Sequence, residues 1–434
     1  MTCATERYQP RKGREGKAAR VTCLVMTALL LAGCAKQVNT PRTTAILAEG
    51  VPSDTSISTS SIGNEQLAGY GSAIEAEAED LSPVYLDERM PDSDLQRQLR
   101  DLVEQPGQPM AALLGGTSNS ASSHLAALVN FFSVPMVIPS AYGENIFPTG
   151  NLWAFRLSPP SSAYANYLFG SVITKQAIDA IQTDLTDPVN NAPELAIAIL
   201  YEGNTFGEAA AVATAKAAMA QEVKISLYQR FDPTIQDSTT LRDIVIAAQD
   251  AKAHLVYLIV SDPAYARNLV NMFSQVYDKD SFPLIVGQEG AFTTRQFQTS
   301  AEAKFVTVLG QAIDPNTCPD TVRSAYDAKS YAAVALVGQA YKNADAALAK
   351  KNLILGTFRW KQPTIAEQRE ALRDAIKAAT PILPCIGQVK FDTTGQNTVI
   401  NLQLVQMGQT GSVTVDPTEF LDRVSEAIFQ GMMR

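Results

Sequence analysis

From about residue 64 onward the chain alternates between two hydrophobic rhythms. Short unbroken apolar runs are each followed by a longer stretch in which apolar residues return every three or four positions. The spacing predicts helices over 66–79, 92–104 and 120–132, with strands at 83–86, 111–114 and 135–138 between and after them. In 92–104, Leu95, Leu99, Leu102 and Val103 fall at i, i+4, i+7 and i+8, with Ser93 or Asp94 suited to the N-cap. The second half repeats the pattern more regularly. Strands near Leu195, Val223, Leu255 and Leu284 are separated by 28, 32 and 29 residues. Helices are predicted between them at 207–221, 240–253 and 264–277, the middle one carrying a stripe of Leu241, Ile244, Val245 and Ala248. Buried apolar strands alternating with amphipathic helices predict an α/β, doubly wound architecture, with parallel sheets covered on both faces.

The first 63 residues follow other rules. Residues 1–20 hold Arg7, Arg11, Lys12, Arg14, Lys17 and Arg20 against Glu6 and Glu15; the apolar run 21–31 and Leu31-Ala32-Gly33-Cys34 come next. A basic start, a short apolar run and small residues at the cut mark a secretory signal, 1–33. The run is too short to span a bilayer, which takes roughly 20 residues. The tetrapeptide resembles the lipobox of bacterial lipoproteins, which implies lipid on the Cys34 sulfur and a membrane anchor in the cell envelope, on the periplasmic side of the inner or outer membrane. Residues 34–63 are rich in Ser, Thr and Pro and read as a tether. Its one β-like patch, 43–47, is a candidate first strand.

Composition narrows the remainder. About 400 residues follow the signal, enough for two lobes. The net charge of −9 becomes more negative once the basic leader is removed, which argues against nucleic acid as a partner. Cys3 and Cys23 leave with the signal, so Cys318 and Cys385 remain, either as one disulfide or as two separate thiols.

Several segments, in order, resemble the type I periplasmic binding proteins, the Leu/Ile/Val-binding family of ABC transporters. They are Leu113-Leu114-Gly115-Gly116-Thr117-Ser118-Asn119-Ser120, Val134-Pro135-Met136-Val137-Ile138-Pro139-Ser140 and Trp153-Ala154-Phe155-Arg156. Further on come Ile199-Leu200-Tyr201-Glu202-Gly203-Asn204-Thr205-Phe206-Gly207, Val286-Gly287-Gln288-Glu289-Gly290, and late segments from Ser330 and Gly387. The resemblance implies two Rossmann-like lobes joined by three crossovers. The first lobe takes 64–158 and 313–386, and the second takes 159–312 and 387–434. It also implies an ABC permease as partner, and ligand contacts at Ser118 or Ser120, at Ser140, Ala141 and Tyr142, at Phe206 and at Glu289.

Elementary physics points to the same loops, because open parallel sheets bind ligands outside the carboxyl ends of their strands. The hydroxyl-rich loop 115–123 precedes a helix, so its N–H groups with Ser118 and Ser120 suit a carboxylate or another anion. Glu289 suits an ammonium, and Tyr142, Phe206 and Tyr265 suit an apolar wall.

Catalysis finds little to build on. His124 and His254 stand far apart in structural settings, and no GxGxxG, Walker A, HExxH or GxSxG pattern or zinc-type cysteine spacing occurs, so no cofactor, metal or enzymatic activity is expected. Three functions fit. One is a solute-binding component of an ABC importer that captures a small polar or amphiphilic, amino-acid-like ligand between its lobes. The others are an envelope scaffold, resembling the regulators of peptidoglycan synthases, and a ligand sensor for a membrane receptor.

Overall fold

The computed structural model describes residues 42–51, 60–78, 80–185, 194–278, 281–354, 363–408 and 411–432. The signal, Cys34 and the tether stretches 34–41 and 52–59 lie outside the described residues.

The first sheet is wholly parallel. Its strands are β1 (Arg42–Ala48), β2 (Leu81–Asp87), β3 (Ala112–Leu114), β4 (Met136–Ile138) and β5 (Ala154–Arg156), in the order β2-β1-β3-β4-β5. Side chains alternate across it, as the two-residue period of a strand requires. Ile46, Leu114 and Val137 face one side; Leu47, Leu113 and Met136 face the other. The first side is covered by α1 (Ser61–Glu77), the long α9 (Ala325–Ile354) and α10 (Ile365–Ala378). The second is covered by α2 (Asp92–Glu104) and α3 (Asn119–Phe132), whose Leu95, Leu99, Leu125 and Val129 are buried.

The second lobe begins with α4 (Ser161–Tyr167), which runs into a π turn, and α5 (Lys175–Leu185). Strands β6 (Ala196–Glu202), β7 (Lys224–Phe231), β8 (Leu255–Ile259), β9 (Leu284–Gln288) and β10 (Val306–Gln311) are parallel. Helices α6 (Thr205–Ala220), α7 (Ser238–Asp250) and α8 (Pro263–Val276) connect the first four. After α10 the chain returns as the antiparallel pair β11 (Leu402–Gly408) and β12 (Gly411–Val415), then α11 (Pro417–Met432). The sheet order is β12-β11-β10-β9-β8-β6-β7. Odd positions of β6 (Ile197, Ile199) join the core under α4, α6 and α11, and even ones (Ala198, Leu200) the core under α7 and α8.

The chain passes between the sheets after β5, after β10, and between Asn397 and Leu402. The last passage follows a ladder contact of Gln396 with Arg156. Cys318 and Cys385, both in the first lobe's return, are joined by a disulfide. Among the described residues no helix is long and apolar enough to cross a membrane.

Four readings need correction. The candidate strand at 43–47 is indeed a strand, β1, but it and the start of α1 belong to the first lobe rather than to a tether, so that lobe begins at residue 42 and not 64. The third passage falls after the Gln396 contact, not at 387. The strand near Val223 is β7, an edge strand whose side chains, Phe231 apart, are half-exposed or exposed rather than buried. Neither Ser93 nor Asp94 caps α2: Pro91 stands at the N-cap without a side-chain bond, and its fixed φ starts the helix instead.

One close approach sets the first lobe's geometry. A Cβ on Gly69 of α1 would lie 2.2 Å from the Asp327 carbonyl oxygen of α9. The two helices meet backbone to backbone, and only glycine permits it. Gly69→Ala is expected to lower stability by about 1–3 kcal/mol, the usual range for overpacking, as measured by urea denaturation.

Candidate ligand-binding cleft

The carboxyl ends of both sheets open onto one cleft of 770 Å³. From the first lobe its lining includes Glu49, Glu88, Arg89, Thr117, Ser118, Ser120, Tyr142 and Tyr326; from the second, Asn204, Phe206, Ser261, Asp262 and Gly290. The lobes also touch across it. The Arg295 N–H donates to Glu65 Oε1 at 2.8 Å, and Asn119 Nδ2 to the Thr205 carbonyl at 3.4 Å.

The loop after β3 turns on two glycines of positive φ, Gly115 and Gly116. A Cβ on Gly115 would lie 2.6 Å from that of Leu47, so the turn packs directly on β1. Ser118 then caps α3, its Oγ accepting from the Ala121 N–H at 3.1 Å. One of the loop's own N–H groups is already used: Thr117 N–H donates to Glu88 Oε2 at 2.9 Å. Asn119 fixes the next loop, its Oδ1 accepting from the N–H groups of Tyr142 (3.0 Å) and Gly143 (2.7 Å).

On the opposite side, Asn204 caps α6 by accepting from Phe206 and Gly207 N–H. Phe206 thus enters in the first helical turn, its ring 5.6 Å from that of Tyr142. Tyr142 also meets Tyr164 edge-on, with centroids 5.9 Å apart. Glu202 braces the neighbouring loop, accepting from the Ser261 N–H and Oγ, both at 2.9 Å.

Behind the aromatic wall lies a fully buried ion pair. Glu289, following β9, meets the ammonium of Lys329 on α9, and neither side chain is exposed. The pair joins the second lobe to the first. The other carboxylate oxygen accepts from the Tyr164 hydroxyl at 2.6 Å and the Gln311 N–H at 2.9 Å. The Lys329 nitrogen stands 3.5 Å from the Tyr142 hydroxyl and 5.0 Å from its ring centre. Burial pulls the Lys329 pKa down, and Glu289 opposes the fall.

The eight residues picked from sequence divide in two. Ser118, Ser120, Tyr142 and Phe206 line the cleft. Ser140, Ala141, Tyr265 and Glu289 are fully buried and lie outside its lining. Tyr265 is no wall of the cleft: it stacks on Phe231 at 4.9 Å inside the second lobe's core, because its helical turn points the ring back toward the sheet. Glu289 faces an internal ammonium rather than open space. Sequence reasoning missed Lys329, Tyr164, Tyr326 and Glu88. Lys329 did leave a signal, since a lone charge at the head of the nearly continuous apolar run 331–337 must find a partner when the helix is buried. Among the described residues no group of acids, histidines or cysteines has the makings of a metal site.

No protein-family model and no curated protein sequence matches the chain; the likeness lies in the fold. The Thermotoga maritima leucine-binding protein matches with a TM-score of 0.63 at 13% identity, over 86% of this chain and 98% of that one. The substrate-binding protein of a Streptococcus pneumoniae branched-chain amino acid transporter, solved with isoleucine, matches at 0.61 and 15%, over 87% and 99%. A Rhodopseudomonas palustris solute-binding protein of an ABC transporter, solved with 3,4-dihydroxybenzoic acid, matches at 0.63 and 13%, over 86% and 95%. The chain has the two-lobed type I periplasmic binding protein fold.

Two outcomes are expected at this site. Glu289→Leu strands a buried ammonium and should cost about 3–5 kcal/mol of unfolding free energy, read by denaturant titration. The second outcome concerns pH. Burial raises Glu88 and Glu65 to about 7 and Asp327 to about 6. A carboxyl whose pKa rises on folding contributes stability that is full below its unfolded pKa and is lost as pH climbs through the folded one. The calorimetric unfolding midpoint should therefore be higher at about pH 5 than at about pH 8, and Glu88→Gln should narrow the difference.

Proposed function

We propose that the chain is a lipid-anchored solute-binding protein of the cell envelope, held through Cys34. On this reading its lobes close on a small solute and present the closed surface to an ABC permease. One observation carries the reading: a 770 Å³ cleft lies where the carboxyl ends of two parallel sheets face each other. Loops from neighbouring strands converge there, which is where open α/β sheets bind ligands. The aromatic wall of Tyr142, Phe206 and Tyr326 and the hydroxyls of Ser118, Ser120 and Ser261 supply the mixed apolar and polar lining such sites use. Closure about the three interlobe passages is the hinge motion by which two-lobed proteins exclude water from a solute. The chemistry is capture and release, with no covalent step.

A second reading is an envelope scaffold that uses the fold for protein contacts. The internal Lys329–Glu289 pair favours it, since this pair joins the lobes without any solute.

The test is a thermal-shift screen of the protein against amino acids, amides, alcohols, sugars, short peptides and nucleosides. A true ligand at 100 times its Kd should stabilise the fold by about 2.7 kcal/mol, and Phe206→Ala should abolish the shift. A cooperative, folded protein that responds to none of them would instead direct the search to protein partners.

A further inference from the structure

A free α-amino acid carries two charges, and a site for it must offer N–H donors to the carboxylate and an acid to the ammonium. The loop after β3 makes the first offer at the cleft and an acid behind its aromatic wall makes the second, and the chain's own side chains have taken both. The donor is the N–H of Thr117, which holds the Glu88 carboxylate. The acid is Glu289, which holds the Lys329 ammonium.

We infer, building on the solute-binding reading above, that Glu88 and Lys329 determine specificity. They stand in for the two charges of an amino acid, so the cleft turns away free amino acids and other carboxylates and takes a solute lacking a carboxylate. Three observations support this. Lys329 is completely buried, flanked by the Glu289 carboxylate and the face of Tyr142, so no second ammonium fits beside it. Glu88 is 6% exposed, and its Oε2 accepts the Thr117 N–H in the loop just before α3. The charge balance of the lining agrees: Glu49, Glu88, Asp92 and Asp262 oppose Arg89 alone, and Arg89 lies 3.6 Å from Glu49. An entering carboxylate meets like charge, whereas an amine or a neutral alcohol does not.

The experiment is a set of titrations of the full-length protein and two variants, followed by thermal shift and calorimetry. Wild type should show no response to leucine or benzoate at about 10 mM, a concentration that would saturate any site of micromolar Kd. Lys329→Ala should be stabilised by propylammonium chloride at a concentration about tenfold lower than wild type requires, as the amine fills the vacated place at Glu289. Glu88→Ala should be stabilised in the same way by acetate, which reaches the freed Thr117 N–H. Tetramethylammonium and chloride, at matched ionic strength, should do neither. If one variant fails to fold, the other and the wild-type titrations still decide. Micromolar binding of leucine or benzoate by wild type overturns the inference while leaving the solute-binding reading intact. So does a variant that responds no more to its fitting ion than to the control. Both rescues occurring in a protein that binds no solute in the wider screen would uphold the built-in charges and remove the solute-binding reading instead.

Discussion

The buried contact between Lys329 and Glu289 is the constraint on which the arrangement of the cleft rests. Each charge alone in that place would carry a desolvation penalty of several kcal/mol, so each fixes the other's position. Lys329 belongs to α9 of the first lobe and Glu289 follows β9 of the second, so satisfying the pair also sets how the lobes meet. The surroundings hold both partners firmly. The backbone contact at Gly69 seats α9 two residues before Lys329, and the Gln311 N–H and Tyr164 hydroxyl fix the carboxylate. Tyr142 lies over the ammonium on one side and forms the cleft wall on the other, which carries the buried electrostatics to the surface of the cleft.

What sequence reading recovered follows from how local each cause is. The strands of the second lobe were legible because a strand buried on both faces is apolar throughout, and β6, β8 and β9 are such strands. Helix α2 was legible from the spacing of its leucines. Strand β1 was nearly hidden, because its Thr43-Thr44 start sits among the hydroxyl residues of a tether-like stretch, yet both threonines are buried. β-Branched residues are at home in strands whatever their polarity, and only the neighbouring strands reveal which stretch is recruited.

The site was legible at the level of loops but not of partners. Ser118, Ser120, Tyr142 and Phe206 follow from position alone, since any residue just after a parallel strand or in the first turn of the next helix lies near the sheet's carboxyl edge. Glu289 was chosen for the right chemistry, but its partner lies 40 residues away on another lobe. Tyr265 occupies a first turn too, and only the tertiary packing on Phe231 shows that its ring turns inward. Pairing of side chains is a non-local property, and no periodicity in the chain records it.

That distinction bears on how this fold changes its ligand. The similar structures include one solved with isoleucine and one with 3,4-dihydroxybenzoic acid, so the shared backbone does not by itself fix the solute. What varies is which donors and charges at the strand ends stay open to solvent. A loop N–H that bonds an internal carboxylate is no longer offered, and an acid that meets an internal lysine is no longer an acid to the cleft. Two side chains, Glu88 and Lys329, thereby convert a surface suited to zwitterions into one whose remaining offers are hydroxyls and aromatic faces. No strand or helix has to move for that change, because the donors, the acid and the backbone that carries them stay where the fold puts them.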